Sequence, residues 1–398
     1  MVKAPKMQHS KALRRKRRSR SLLALSTTAL ALPGIATADA PPTESAVSYK
    51  ISNYKEDDLS RSEVLFGDLN RYDIDVHQFK LVSPLGRNMA INFDANYETL
   101  SGASPWFTTA GANGEPIVNL SGASGIHDRR SEASIGARYY LENGSFGGNI
   151  GYSEENDYRA VYIGFSGERH FNNDLTTVSL GFSHSKDEIF PTDAEIFNRI
   201  INDDKQSSSV FVSVSQIINQ LSTFQSAISI TEQTGFLSDP YKLRDVRPED
   251  KKQFAWSNSY RHFFVDADAA WHTNYRYYHD DFGINSHTTD MSWHQNVGES
   301  LQIVPHLRYY SQSSADFFTN IDNPLNPLTE YQSSDYRLSA FGAISGGINF
   351  ILELDKWIVT LSTERYIAKE KYSAYKVSQP STALVKYNRV SLGFDYSF

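Results

Sequence analysis

The sequence predicts an all-β protein, a transmembrane antiparallel up-and-down β-barrel of about sixteen strands that follows a cleaved signal peptide. Three observations lead to this fold class. The first residues have the order of an export signal, stretches of alternating apolar and polar residues recur along the rest of the chain, and the connections between them alternate between short and long. Together they predict one barrel domain in residues 39–398.

The N-terminus predicts export across the inner membrane. Residues 11–20 read KALRRKRRSR, the apolar stretch from Leu22 to Leu32 follows, and Ala36-Thr37-Ala38 provides an A-x-A cleavage site. The apolar stretch is too short to span a bilayer comfortably. We therefore expect residues 1–38 to be a signal peptide that is cleaved near Ala38, and the mature chain to reach the outer membrane of a Gram-negative bacterium.

The composition excludes several classes of function. The chain has no cysteine, which excludes disulfides, thiolate catalysis and covalent haem attachment. The first 38 residues hold nine basic and no acidic residues, so the mature chain has 30 basic and 46 acidic residues and a net charge of −16. This charge argues against nucleic acid as a partner and is compatible with the attraction of cations. No long apolar run follows the signal, which excludes transmembrane helices.

The alternating stretches have the length of membrane-crossing β-strands. In residues 131–141, for example, Ile135 and Tyr139 alternate with Ser134 and Arg138. A strand of roughly 9–11 residues crosses a bilayer at a tilt, and such barrels have even strand numbers, so sixteen is predicted and fourteen is the alternative. The predicted strands lie near 47–56, 71–82, 88–100, 130–142, 145–154, 158–169, 174–187, 207–218, 221–232, 252–263, 264–279, 287–297, 300–313, 334–350, 356–369 and 384–398.

The connections support a transmembrane barrel over a soluble β-sandwich. The connections on one side are short, among them SPLGR, NG, HFNN, NQ, GE and LDK. Long connections follow on the other side, at 101–129, 188–206, 233–251, 314–333 and 370–383. The connection at 155–157 is a short exception on that side. Outer-membrane barrels have short periplasmic turns and long extracellular loops, whereas a sandwich has no reason to sort its loops in this way.

The last ten residues, RVSLGFDYSF, alternate without a break. Phe394, Tyr396 and Phe398 share the apolar side, and the strand resembles the terminal strand of outer-membrane proteins that the barrel assembly machinery reads. We expect these three residues to form an assembly signal and the last strand to close the barrel against the first.

Three long stretches carry a resemblance to a known family. They are RYDIDVHQFKLVSPLG (71–86), YETLSGASPW (97–106) and DRRSEASIGARYYLENGSFGGNIGYSEENDY (128–158). They resemble an uncharacterised family of predicted outer-membrane proteins, catalogued as domain of unknown function 3570 and without an established activity. Its members are often encoded beside a flavin transferase and a small lipoprotein. The resemblance therefore implies a redox-related envelope system, with a small lipoprotein or a redox protein as partner.

The first candidate site is a row of polar residues on one predicted strand. Asp73, Asp75 and His77 alternate, and the apolar residues between them are expected to face lipid, which predicts a lumen position for the three. Carboxylates and imidazoles are metal ligands, but residues two apart on a strand are about 6.6 Å apart, so one strand cannot supply a full coordination shell. The alternative is a charged wall paired with arginines such as Arg138.

The second candidate site combines histidines and arginines that we expect on lumen faces. They are His77, His272, His294 and His306, with Arg276 and Arg308. If they converge, they could bind a metal or an anionic ligand, and the identity of any metal stays open. The alternative is scattered polarity in a water-filled channel.

The third candidate is the loop at residues 100–130. LSGAS occurs at 100–104 and again at 120–124, on either side of Trp106-Phe107, and the strand after the loop begins near Arg129-Arg130. A long loop that folds inward would make these four residues a constriction, by analogy with porin-like barrels. The alternative is an ordinary packed surface loop.

We therefore expect a porin-like channel or small-solute transport protein, with outer-membrane lipid, the assembly machinery and a small solute or cation as partners. The sequence contains no nucleophile elbow, P-loop, HExxH motif or EF-hand loop, so neither a cofactor nor an enzymatic activity is expected. One alternative is a plugged barrel that serves as a structural sleeve or partner of an envelope redox or flavoprotein system. A further alternative, an outer-membrane hydrolase, would rest on Ser292 and His294, which alone are not a triad.

Overall fold

Sixteen antiparallel strands form one closed barrel in the computed structural model, which describes residues 40–120 and 128–398. The predicted signal peptide and residues 121–127 of the predicted constriction loop lie outside the described residues. The barrel strands are β1 (Ala46–Glu56), β2 (Asp73–Pro84), β3 (Met89–Ser101), β4 (Asp128–Leu141), β5 (Gly144–Glu154), β6 (Tyr158–Phe171), β7 (Thr176–Ile189), β8 (Asp203–Asn219), β9 (Ser222–Gly235), β10 (Asp250–Phe264), β11 (Ala269–Asp280), β12 (Asn285–Val297), β13 (Leu301–Gln312), β14 (Phe341–Leu354), β15 (Trp357–Lys369) and β16 (Lys386–Ser397).

Every barrel strand pairs with the strands before and after it in the chain, and β16 pairs with β1. The register of this closing pair places Ala46 opposite Ser397. Beyond it, the backbone N–H groups of Ser45 and Phe398 each donate to the other's carbonyl, at 3.0 and 2.9 Å. The predicted sixteen-strand barrel is confirmed, and its closed ladder leaves no barrel strand with an unpaired edge.

The two faces of the wall differ as a membrane-spanning barrel requires. Large apolar side chains such as Ile135, Ile150 and Phe165 are exposed on the outer face. The inner face carries small and polar side chains, among them the buried Ser145 and Ser213. Period-2 alternation of this kind places apolar groups against lipid and polar groups in the lumen.

Two predicted strands begin at least five residues later than expected. The strand predicted at 264–279 begins at Ala269, because residues 265–268 form a turn that ends in Asp268 with a φ of 45°. The strand predicted at 334–350 begins at Phe341, because a 3₁₀ helix occupies Tyr336–Leu338 and Asp335 caps it through a bond from the Arg337 N–H. Residues with local side-chain caps favour such turns over strands.

The two ends of the barrel are unlike. One end, here called the turn end, carries both termini of the barrel and short turns such as 142–143 and 220–221. The opposite end, the loop end, carries the long connections, although 155–157 and 281–284 are short. Among the described residues, no helix is long and apolar enough to cross a membrane.

The loops at the loop end fold upon one another. Val64–Phe66, Pro105–Ala110 and Pro116–Leu120 form a small three-stranded sheet over an apolar cluster that includes Val118 and Leu120. A second cluster joins Phe282, Ile284, Ala315, Phe318 and Leu338. A two-residue pairing of Asp245–Val246 with Gln332–Ser333, a short helix at Ala194–Phe197 and a 3₁₀ turn at Glu370–Tyr372 complete this region. These clusters give the loop end its own packed structure.

Candidate functional site

Six of the nine predicted lumen residues lie on the inner face. Residues that are opposite one another on paired strands share a face of the wall. Arg261 is opposite His272, and Ser292 is opposite both His272 and His306, so the inner face can be traced from β10 to β13. The inner-face residues from the prediction are Arg138, His272, Arg276, His294, His306 and Arg308.

The prediction that Asp73, Asp75 and His77 face the lumen is wrong. The buried inner residues Ser48 and Ser52 of β1 are opposite Lys80 and Val76, so the alternate residues of β2, including the three candidates, face outward. The sequence carried this signal in Phe79 and Leu81, two apolar residues that share the candidates' face.

The outward position of these residues has a physical reason. Asp73 and Asp75 lie near the loop end of β2, where the amide of Asn53 donates to both carboxylates at 2.9 and 3.0 Å. His77, one step nearer the middle, shares a 2.7 Å hydrogen bond with the Tyr49 hydroxyl. Its ring also lies 6.4 Å from the ring of Tyr97. Polar groups above the apolar band and a belt of amphipathic aromatics are typical of the outer surface of such barrels.

Two of the predicted histidines converge. The rings of His272 and His294 lie 3.9 Å apart between centroids, on adjacent strands β11 and β12. His294 Nε2 is 3.0 Å from the Ser292 hydroxyl, and its Nδ1 is 3.4 Å from the Gln302 side-chain oxygen. Gln302 stands where a hydrolytic triad would have a carboxylate, so the arrangement lacks the acidic group that stabilises an imidazolium.

The predicted constriction residues separate into two groups. Trp106 and Phe107 lie in the small loop sheet and contact one another at 5.9 Å between ring centroids. Arg129 and Arg130 lie in β4, where Arg129 faces outward and Arg130 faces the lumen. Arg130 is paired with Glu132 at 3.2 Å. None of the four belongs to the lining of the two cavities described below.

A network of ion pairs holds the loop at 313–340 against the loop at 236–249. The Asp335 network consists of Asp239, Asp245, Arg247, Asp335 and Arg337. Arg247 is 2.7 Å from Asp245 and 2.8 Å from Asp335, and the carboxylates of Asp245 and Asp335 are nearly inaccessible. Burial alone would raise the pKa of Asp335, but the guanidinium groups of Arg337 and Arg247 hold it well below its usual range.

The segment after Asp335 is fastened to the barrel wall. Gln312 of β13 donates its amide N–H groups to the carbonyls of Arg337 and Ser339, at 2.9 and 2.7 Å. The guanidinium of Arg71 lies 5.6 Å from the Tyr336 ring. The segment therefore contacts the wall at β13 and, through Arg71, reaches the connection between β1 and β2.

Two cavities adjoin this segment, and Arg337 lines both. The larger cavity, of about 530 Å³, has a mixed lining in which acidic, basic and aromatic groups include Glu155, Lys205 and Phe236. The smaller cavity, of about 350 Å³, is lined mainly by aromatic and apolar groups, with Arg308 as a second basic residue. The Arg337 side chain, 61% accessible, is a lining residue of both spaces.

Three carboxylates come together beside the larger cavity. Oxygen atoms of Asp128, Glu155 and Asp157 lie within 4.8 Å of one another, a spacing that could hold a metal ion. Burial raises the pKa of Glu155 to about 7, against the attraction of Arg130 and with the support of the two neighbouring aspartates. Exposed acidic groups commonly cluster without an ion, so this arrangement by itself assigns no metal.

A comparison of the sequence with models of protein families identifies the family of this chain. The family described as "Protein of unknown function (DUF3570)" matches residues 22–379. The chain belongs to this family. The suspected resemblance is therefore confirmed. No curated protein matches the sequence.

Solved structures similar to this DUF3570 protein are outer-membrane barrels. A bacterial polysaccharide outer membrane secretin is 8% identical with a TM-score of 0.51, over 89% of this chain and 98% of the secretin. A BenF-like porin from Pseudomonas fluorescens Pf-5 is 7% identical with a TM-score of 0.45, over 89% and 98%. The siderophore receptor PirA from Pseudomonas aeruginosa is 12% identical with a TM-score of 0.44, over 89% of this chain but 62% of the receptor. At these identities the likeness shows the fold alone.

The sequence pattern missed the Asp335 network of the DUF3570 barrel. Its members come from two loops whose contact depends on tertiary folding, as Arg247 and Asp335 show. A weak signal existed in the spacing of Asp245 with Arg247 and of Asp335 with Arg337, since each acid is two residues before a base. That spacing predicts local pairs, which both occur, but not the pairing between the loops.

Proposed function

We propose that this protein is a porin-like channel of the outer membrane that passes small solutes, with its loop end outside the cell. The observation that carries the proposal is the position of Arg337, on a loop segment that is bound to the inner wall and lines two cavities. A polar lumen narrowed by an inward-folded loop is how a barrel of this size restricts a channel.

The constriction in this proposal belongs to the loop at 313–340 and not to the loop at 100–130. Trp106 and Phe107 pack within the loop sheet, and the Trp106 carbonyl accepts a hydrogen bond from the Leu243 N–H at 3.0 Å. Tyr336 and Arg337, in contrast, reach the cavity walls. The loop at 100–130 then supports the arrangement from outside, through contacts such as the 2.7 Å bond from the Thr108 N–H to Asp322.

Single-channel conductance of the refolded chain from residue 39 to residue 398, measured in a planar bilayer, tests the proposal. We expect steady conductance from the unchanged protein. Replacing Arg337 with alanine removes a side chain that lines both cavities, so R337A should conduct more than the unchanged protein. The control is R61A, because Arg61 is exposed in the loop at 57–72 and lines neither cavity.

Two outcomes would contradict the proposal at different levels. Equal conductance in R337A and R61A would remove Arg337 from the constriction. A correctly folded barrel that never conducts would exclude an open channel and favour the plugged sleeve, and a pull-down from solubilised membranes would then search for the lipoprotein or redox partner.

A further inference from the structure

The lumen wall near the turn end holds a basic guanidinium without a counterion. Arg261 of β10 faces inward opposite His272, and no carboxylate among residues 40–120 and 128–398 forms an ion pair with it. Its Nε is shielded from solvent and has no hydrogen-bond partner. An unpaired, partly buried charge is costly, so a site that keeps one is suited to receive an opposite charge.

Five other inward basic groups of the barrel are paired with carboxylates. The pairs are Lys80 with Asp94 at 3.4 Å, Arg130 with Glu132 at 3.2 Å, Lys205 with Asp187 at 3.2 Å, Arg308 with Asp290 at 3.6 Å and Arg389 with Glu364 at 2.7 Å. Inward Arg276 has a different neighbour, because it lies 5.5 Å from the Tyr278 ring. Arg261 differs from these residues in having neither kind of partner in the described chain.

Three histidines of the inner face lie on the strands that follow Arg261, one each on β11, β12 and β13. His272 is directly across from it, His294 touches the His272 ring at 3.9 Å, and His306 has a buried Nδ1 without a hydrogen-bond partner. Among the described inward residues of β11 to β13, the carboxylates of Asp290 and Asp280 are paired with Arg308 and Lys251. On the other side of Arg261, β9 contributes the uncharged Thr223 and Gln225 to the inner face.

We propose that Arg261, His272 and His294 form a binding site for a small oxyanion, one with a carboxylate or phosphate group. A guanidinium presents several N–H donors in a planar fork that matches two oxygens of either group. The imidazoles add N–H donors, and the Ser292 hydroxyl and Gln302 amide lie beside His294. The inference rests on the proposed channel only for the route by which the anion enters.

Calorimetric titration of the refolded full mature chain in detergent tests the site directly. Inorganic phosphate and acetate serve as separate probes, so that the two head groups are distinguished. Replacing Arg261 with glutamine keeps polarity but removes the charge and the fork, and R261Q should bind the preferred anion at least about tenfold more weakly. H294A and H272A should weaken binding by about threefold to tenfold, since each removes one hydrogen-bond donor.

Arg138 provides the matched control. It also faces the lumen, but it donates to the hydroxyls of Ser145 and Ser166 at 2.7 and 2.9 Å. R138Q should therefore bind within about twofold of the unchanged protein if specific contacts, and not general lumen charge, hold the anion. The mobility shift of the unboiled barrel on denaturing gels verifies folding of each variant, and H272A provides a second test if R261Q does not fold.

The possible results separate this site from the channel. Binding that weakens in R261Q but not in R138Q supports the site, even in a barrel that never conducts. Absence of binding by the unchanged protein, or equal affinity in R261Q and the unchanged protein, would overturn the site and leave the channel standing. Equal weakening in R261Q and R138Q would also overturn it, since general charge would then explain the binding.

Discussion

Replacement of Asp335 by asparagine should release the loop at 313–340 from the loop at 236–249. The Asp335 side chain is 2% accessible and accepts from Arg247 at 2.8 Å, and it is also paired with Arg337. Removing one partner of a buried ion pair costs about 3–5 kcal/mol. Arg247 keeps Asp245 at 2.7 Å and Arg337 keeps Asp239 at 3.3 Å, so we expect the lower value, about 3 kcal/mol.

Hydrogen exchange measures this local loss. Since about 1.4 kcal/mol corresponds to a tenfold change, amides of residues 333–339 should exchange roughly 100-fold faster in D335N, while those of β13 stay protected by the barrel ladder. The control D239N removes a partner that is 25% accessible, and an exposed pair contributes about 0.2–1 kcal/mol, so its effect should stay below about sixfold. Unchanged exchange at 333–339, or a similar increase throughout the barrel, would refute the assignment of this network as a loop anchor.

Two further predictions concern pH and the lipid face. Burial raises the pKa of Glu155 from 4.5 to about 7, so between these values the folded protein binds more protons than the unfolded chain and stability falls as pH rises. The Tm of the unchanged protein should therefore fall relative to that of E155Q as the pH rises from 5 to 8. A Tm difference between the two proteins that does not change with pH would contradict this. Ile150 is outward and 53% exposed, so I150K should cost about 2–4 kcal/mol in bilayer unfolding experiments. N149K, one residue away on the inner face, should cost much less, and equal losses would refute the assigned faces.

The barrel itself was predictable because its signal is local and repeated. Each strand needs one apolar side and one polar side, and Ile135 with Ser134 displays this in the sequence as clearly as in the structure. The outward position of Phe394, Tyr396 and Phe398 also follows from alternation, and the register with β1 agrees with it. The role of these three residues as an assembly signal stays a prediction, because it depends on recognition by the barrel assembly machinery.

Alternation was misread where the barrel wall leaves the bilayer. Near the loop end, the lumen face of β2 carries Ile74 and Val76, while Asp73 and Asp75 lie on the outer face and accept hydrogen bonds from Asn53. The rule that apolar side chains face lipid applies within the apolar band and loses its meaning above it. If the faces of β2 are assigned from Phe79, in the middle of the strand, the odd-numbered residues are correctly placed on the outer face.

Contacts between loops and side-chain contacts between neighbouring strands could not be read from the sequence. Alternation places His272 and His294 on inner faces, but the 3.9 Å between their rings depends on the relative register of β11 and β12. The same limit applies to Arg261, whose lack of a carboxylate partner is a property of its whole neighbourhood.

The pairing of β1 with β16 has a consequence for how the chain is made. These strands come from opposite ends of the described chain, so β1 has no partner on one side until β16 is available. Until β16 pairs with β1, the assembling sheet therefore has two exposed edges, which are templates for unwanted pairing with other chains. A truncation before residue 386 would leave β1 and β15 as permanent edges. Such a chain should aggregate, even though fifteen of its strands would be intact.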